Sequence, residues 1–264
     1  MSIEITERPV FVLGAPRSGT SMMQWALRQH PNLWGGQESD FLVPMTRELR
    51  DVWEFGRTRG KLHWISGQEV GWEEFLRHVG YGVNSLYTDR SGGLRWVEQT
   101  PQYTLHLEEM ALLFPGVQFL VMVRDGRQVV ESLRHFVNPV PFDEACHIWT
   151  RFNEAAREHA QSAPQGRIHF VSYERAVLDT EAEMRRVFEF IGEPYAQASV
   201  DRITSRAPMN SSFVGEGKEQ KLAARWTAWT HAERELFVDV AGPLLLDLGY
   251  EPDHTWTNRE PVDA

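Results

Sequence analysis

The segment Gly14-Ala-Pro-Arg-Ser-Gly-Thr-Ser21 constrains the fold more than any other part of this chain. It follows Val10-Phe-Val-Leu13, a continuous apolar run suited to a strand buried on both faces of a parallel sheet. It precedes Thr20 to Gln29, where Met22, Met23, Ala26 and Leu27 recur at helical spacing. A strand, a glycine-bounded loop and a helix aim backbone N–H groups and a helix N-terminus at one point, which is the physical requirement for holding a phosphate. The two glycines have the spacing of a nucleotide triphosphatase loop. Thr20, however, stands where such an enzyme carries lysine, and the positive charge lies inside the loop at Arg17.

The same grammar recurs along the chain. Phe119-Leu-Val-Met-Val123 is the most apolar run, followed by Asp125-Gly126 and a helical stretch around Val129, Val130 and Leu133. A third strand is expected at Ile168 to Val171, before a helix containing Met184, Val187, Phe188 and Ile191 that Gly192 closes. Leu94 to Val97 reads as a fourth strand, Tyr103 to Phe114 as the helix after it, and the final helix falls between Ala232 and Leu248. Alternating strands and helices predict an α/β fold: a P-loop parallel sheet flanked by helices on both faces. With 264 residues, 42% hydrophobic, and no Pro/Gly/Ser-rich linker, residues 1–264 are expected to form one domain. Residues 45–95 read as an aromatic-rich insertion on the acceptor side, and residues 207–221 as a mobile loop that covers the nucleotide.

Charge and cysteine content exclude several classes. A net charge of −10 argues against a nucleic-acid partner, although a local basic pocket can still hold a small anion. Cys146 is the sole cysteine, so no intrachain disulfide or zinc cluster can form, and its expected role is a small buried hydrophobe. No apolar run reaches the length of a membrane span. Residues 1–9 lack a basic stretch followed by an apolar one, so the expected location is cytoplasmic.

Thr20 bears on the reaction. Phosphoryl transfer relies on the loop lysine and a magnesium-binding acid. A sulfuryl group carries less charge, so an arginine, backbone amides and hydroxyls suffice without metal. A second anion site is expected where Arg124 ends a strand and Ser132 lies on the next helix.

The run Phe11-Val-Leu-Gly-Ala-Pro-Arg-Ser-Gly-Thr-Ser21 with His30-Pro31 resembles the 5′-phosphosulfate loop of sulfotransferases, above all the tyrosylprotein and bacterial tyrosylprotein-like groups. Phe119 to Ser132 resembles their 3′-phosphate motif, and Val171-Ser-Tyr-Glu174 and Leu248-Gly-Tyr250 extend the likeness over most of the chain. The resemblance implies 3′-phosphoadenosine 5′-phosphosulfate (PAPS) as donor and adenosine 3′,5′-bisphosphate (PAP) as product. Arg17, Ser18, Gly19, Thr20 and Ser21 would hold the 5′ side and Arg124 and Ser132 the 3′-phosphate, with Tyr173 and Lys218 as further cofactor contacts. No metal is implied.

In the tyrosylprotein-like group the general base is a glutamate in a Gly-Glu-Glu-Thr segment. Here that segment is Gly36-Gln-Glu-Ser39, which puts Glu38 at the base position, with His30, His106 and His135 as reserves. The family's lysine before a Thr-Pro pair is replaced by Gln99, a neutral donor that adds no charge. Arg127 is open between supporting a phosphate and capping its helix. The acceptor is expected to be a small molecule, lipid or natural product, with no nucleic-acid partner and an undetermined oligomeric state. Two rival readings are a P-loop kinase or nucleotide hydrolase and a catalytically weak nucleotide-binding protein.

Overall fold

In the computed structural model, which describes residues 4–205 and 224–259, the run Val10–Gly14 is a strand (β1) buried along its whole length. Four more strands join it: β2 (Leu33–Gly35), β3 (Arg95–Glu98), β4 (Gln118–Val123) and β5 (Ile168–Ser172). All pairs are parallel, in the order β2-β3-β1-β4-β5. Parallel neighbours require crossover connections, and here helices supply them on both faces.

Alternation along the strands divides the core. Val10, Val12, Leu120 and Met122 pack against helices α1 (Thr20–Leu27) and α9 (Thr180–Ile191) on one face. Phe11, Leu13, Phe119 and Val121 point to the other face, where Phe11 is ringed by Trp96, Tyr103, Phe114 and Phe119 at centroid distances of 5.7, 6.2, 5.5 and 6.1 Å. A further cluster joins α6 (Gly126–Arg134) and α7 (Phe142–Ser162) to the final helix, His231–Asp247.

The pattern reading located four strands and missed β2, whose three residues are too few to show a period. It also passed over α7. The stretch expected as one helix from Tyr103 to Phe114 is a 3₁₀ turn, Pro101–His106, followed by α5 (Leu107–Leu113). The turn seats Thr104 against β1, where its hydroxyl accepts from the Gly14 N–H at 2.8 Å. Residues 45–95, irregular by sequence, contain the greater part of α2 (Leu42–Thr58), with α3 (Trp64–Gly67) and α4 (Trp72–Arg90). The expected loop at residues 207–221 lies outside the described residues.

Candidate active site

The chemistry-bearing residues gather beyond the carboxyl ends of the strands, the usual crevice of an open parallel sheet. Arg17 lies three residues past β1 and Glu38 three past β2; Gln99 follows β3 and Arg124 follows β4 directly. Tyr173 opens α8 (Tyr173–Leu178) immediately after β5.

The loop after β1 needs its glycines. Gly14 and Gly19 take φ values of 135° and 98°, the left-handed side where a Cβ is strained. A Cβ on Gly19 would also lie 2.5 Å from the Tyr173 ring. Arg17 is itself at φ 74°, and its side chain reaches α6. There its Nε donates to Ser132 Oγ at 3.0 Å, while Arg124 donates to the Arg17 carbonyl at 3.0 Å. The Arg124 guanidinium lies 4.2 Å from the centre of the Tyr173 ring. The structure thus joins Arg17, Arg124, Ser132 and Tyr173 in one cluster, although the motif reading assigns Arg17 and Arg124 to separate phosphate sites.

Two guanidinium groups held this close repel one another. Burial first, and then Arg124, lower the pKa of Arg17. An anion between them relieves both effects, because it replaces lost water and offsets like charge. Ser18 points the same way: its hydroxyl is wholly buried and has no hydrogen-bond partner among the described residues. A buried orphan hydroxyl beside two arginines and the N-terminus of α1 is suited to an anionic ligand such as phosphosulfate.

Thr20 and Ser21 open α1, Thr20 buried and Ser21 half-buried. Thr20 leads to the second cluster. Gln99 Nε2 donates to Thr20 Oγ1 at 3.1 Å and to Glu38 Oε1 at 3.0 Å. The amide replacing the family's lysine therefore holds the expected base and the loop together. A lysine would bring charge to this position; the amide brings geometry alone.

Behind Glu38 lies a support that sequence reasoning missed. Glu98 Oε1 accepts from the hydroxyls of Thr100 (2.5 Å) and Ser39 (3.1 Å) and from the Ser39 N–H (3.4 Å). Tyr87 donates to Glu98 Oε2 at 3.3 Å, and the Ser39 and Tyr103 hydroxyls are 2.8 Å apart. Gln24 Nε2 fixes the other side by donating to the Gly36 carbonyl at 3.0 Å. Burial pushes the Glu98 carboxyl up despite these donors. The available signal was Glu98 itself, an acid next to Gln99 at the end of an apolar strand.

Arg127 is engaged by acids rather than turned to the Arg17 and Arg124 cluster. Its guanidinium is buried, paired with Asp125 at 2.7 Å and Glu251 at 2.6 Å, and lies 4.0 Å from the centre of the Trp226 ring. The cap of α6 is Asp125, whose carboxylate accepts from the Arg127 N–H at 2.9 Å. Trp226 stands edge-on to Trp256, at 5.2 Å. Among the reserves, His30 is buried against Phe188 and its Nε2 lies 3.0 Å from the Pro194 carbonyl, a structural role. His106 lies 3.9 Å from Glu109, and His135, which caps the end of α6, has its Nδ1 2.9 Å from the Glu131 carbonyl. Cys146 is buried, as expected. Lys218 lies outside the described residues.

The model of the sulfotransferase family matches residues 9–197. Protein-tyrosine sulfotransferase A of Caenorhabditis elegans is 25% identical over 92% of this chain and 67% of its own length. Protein-tyrosine sulfotransferase of Drosophila melanogaster is 26% identical over 92% of this chain and 52% of its own, so the chain spans about half to two thirds of these relatives. The sulfotransferase domain of the Synechococcus PCC 7002 olefin synthase shares the fold with a TM-score of 0.63 at 21% identity, covering 91% of this chain and 95% of that one. Mouse sulfotransferase SULT7A1, solved with PAP, gives a TM-score of 0.52 at 12% identity, covering 91% and 89%.

Proposed function

The chain belongs to the sulfotransferase family, and from that premise we propose that it moves a sulfuryl group from PAPS to an acceptor hydroxyl with Glu38 as general base. The observation that carries this reading is the continuity between the two clusters. Residues Arg17 to Thr20 run without a break from the arginines that suit the donor's anionic groups to the amide that holds Glu38. A proton acceptor is thereby kept beside the phosphosulfate loop, as in-line transfer requires.

The donor, when bound, supplies an activated sulfuryl group. Arg17, Ser18, Gly19, Thr20 and Ser21 are suited to its 5′ side, Arg124 and Ser132 to its 3′-phosphate, and Tyr173 to the wall behind them. Glu38 takes the acceptor proton, and Gln99 keeps its carboxylate turned toward the loop. Among the described residues, Arg17 is the cation assigned to the leaving group in this reading, because position 99 carries no charge.

For the acceptor, the names of the relatives support a tyrosine hydroxyl on a polypeptide. A second reading, a small molecule, lipid or natural product, is favoured by Phe41, an exposed ring three residues from Glu38 that stacks on Tyr87 at 6.5 Å. Labelled PAPS offered with tyrosine peptides and with phenols, alcohols and lipids tests both readings. Transfer to some acceptor that Glu38→Ala abolishes, with PAP binding intact, is the expected result. PAP binding without transfer to any class sinks the catalytic reading.

A further inference from the structure

We propose that the tip joining α2 to α3, residues Phe55 to Trp64, is a docking surface for an anionic lipid bilayer. Its sequence, Phe-Gly-Arg-Thr-Arg-Gly-Lys-Leu-His-Trp, holds three cations and no acid within a chain of net charge −10. Such segregation creates a local positive field against the sign of the whole molecule. The same ten residues expose three large apolar side chains: Phe55 is 63% accessible, Trp64 71% and Leu62 fully so. Val52, one helical turn before Phe55 and on the same face, is exposed too.

The tip is a built structure. Gly60 turns the chain at φ 82°, and its carbonyl accepts from the His63 N–H at 3.0 Å. A Cβ on Gly56 would lie 2.7 Å from Ile65, so α3 sits tightly on α2. Behind the tip, Trp53 donates to the Val70 carbonyl at 3.0 Å and meets Trp72 edge-on at 5.8 Å. Buried Trp53 and half-buried Trp72 thus hold an apex whose own apolar groups face outward.

Shape and charge choose the occupant. A fully accessible Leu62 marks a convex apex, whereas an extended acidic peptide needs a groove to bury its side chains. Arg59 lies 4.9 Å from the centre of the Phe55 ring. Cations beside exposed Phe, Leu and Trp match the boundary between headgroups and acyl chains, where the rings enter and the cations meet anionic headgroups. No helix among the described residues is long and apolar enough to cross a membrane, so the contact is interfacial. The 17 residues of α2 put the tip about 25 Å from Leu42.

The test is co-sedimentation of the full chain with vesicles of phosphatidylcholine alone and of phosphatidylcholine with about one third phosphatidylglycerol. Binding to the anionic vesicles only, weakened by high salt, is expected. Reversing all three cations in Arg57→Glu/Arg59→Glu/Lys61→Glu should lower the partition at least on the order of 100-fold, from about fivefold for each cation removed near such a surface, with repulsion of the new carboxylates adding to it. Leu62→Ser/Trp64→Ser should lower it at least about tenfold. Circular dichroism of both variants should match the parent, because none of these five side chains is buried; the charge-reversed protein loses the Arg57 contact with the Trp53 ring 5.1 Å away and should melt slightly lower. Equal binding to neutral vesicles, no binding at all, or binding unchanged in the charge-reversed protein overturns the proposal. So does a dimer, seen by light scattering, that Leu62→Ser/Trp64→Ser breaks, since the tip would then be a contact between two copies.

Discussion

Gln99 donates one amide to two oxygens, Oε1 of Glu38 at 3.0 Å and Oγ1 of Thr20 at 3.1 Å. A carboxylate 61 positions away in sequence is thus tied to the loop that suits the sulfuryl donor, through a side chain without charge.

Removing that amide separates its geometric role from an electrostatic one. A hydrogen bond to a charged group contributes about 1.5–3 kcal/mol, so Gln99→Ala should lower kcat on the order of 10- to 100-fold with a smaller change in donor affinity. Gln99→Lys should instead shift the acidic limb of the kcat profile to lower pH, because a cation stabilises the ionised carboxylate. A pH–rate series on both variants checks this. An unmoved limb in Gln99→Lys would show that another group serves as the base.

The arginine pair predicts a ligand-dependent loss. Arg124→Ala should weaken PAP on the order of 10- to 100-fold, and adenosine 5′-monophosphate much less, because only PAP carries the 3′-phosphate. Calorimetric titration of both nucleotides measures the difference. Equal losses would mean that Arg124 acts only through the Arg17 carbonyl it already bonds.

Glu98 should leave a mark on stability against pH. Burial raises its folded-state pKa above the unfolded one, so the native state holds the proton more tightly. The associated stability is present in full below the unfolded carboxylate range and is lost as pH rises through the folded pKa. Glu98→Gln can keep its oxygen under Ser39 and Thr100 and turn its amide to Tyr87, and it should flatten this fall. Denaturant unfolding from pH 4 to 8 compares the two proteins.

Arg127 is a stability prediction with little direct bearing on chemistry. Truncation to Ala leaves half-buried Asp125 without this cation and buried Glu251 with Arg259 alone, a loss of about 2–3 kcal/mol. For a chain of this size that corresponds to a melting temperature lower by roughly 4–12 °C. A variant that melts with the parent would remove the pair from the account of how the turn after β4 is held.

Local sequence determined the parts of this protein that depend on local physics. Strand, loop and helix around Gly14 to Ser21 follow from apolar runs, positive-φ glycines and a helix start, all within about a dozen residues. Arg124 and Ser132 stand out as candidates for the same reason, and Glu38 through a resemblance in spacing. Tertiary structure alone decided how these pieces meet. The order β2-β3-β1-β4-β5 brings the end of β3 between Glu38 and Thr20, and it turns Arg17 to Ser132 across 115 positions. It also gave Arg127 to Glu251, 124 positions away, when its own helix suggested a phosphate or a cap. Strand order and the pairing of buried charges minimise the free energy of the whole core, and no short window of sequence contains that sum.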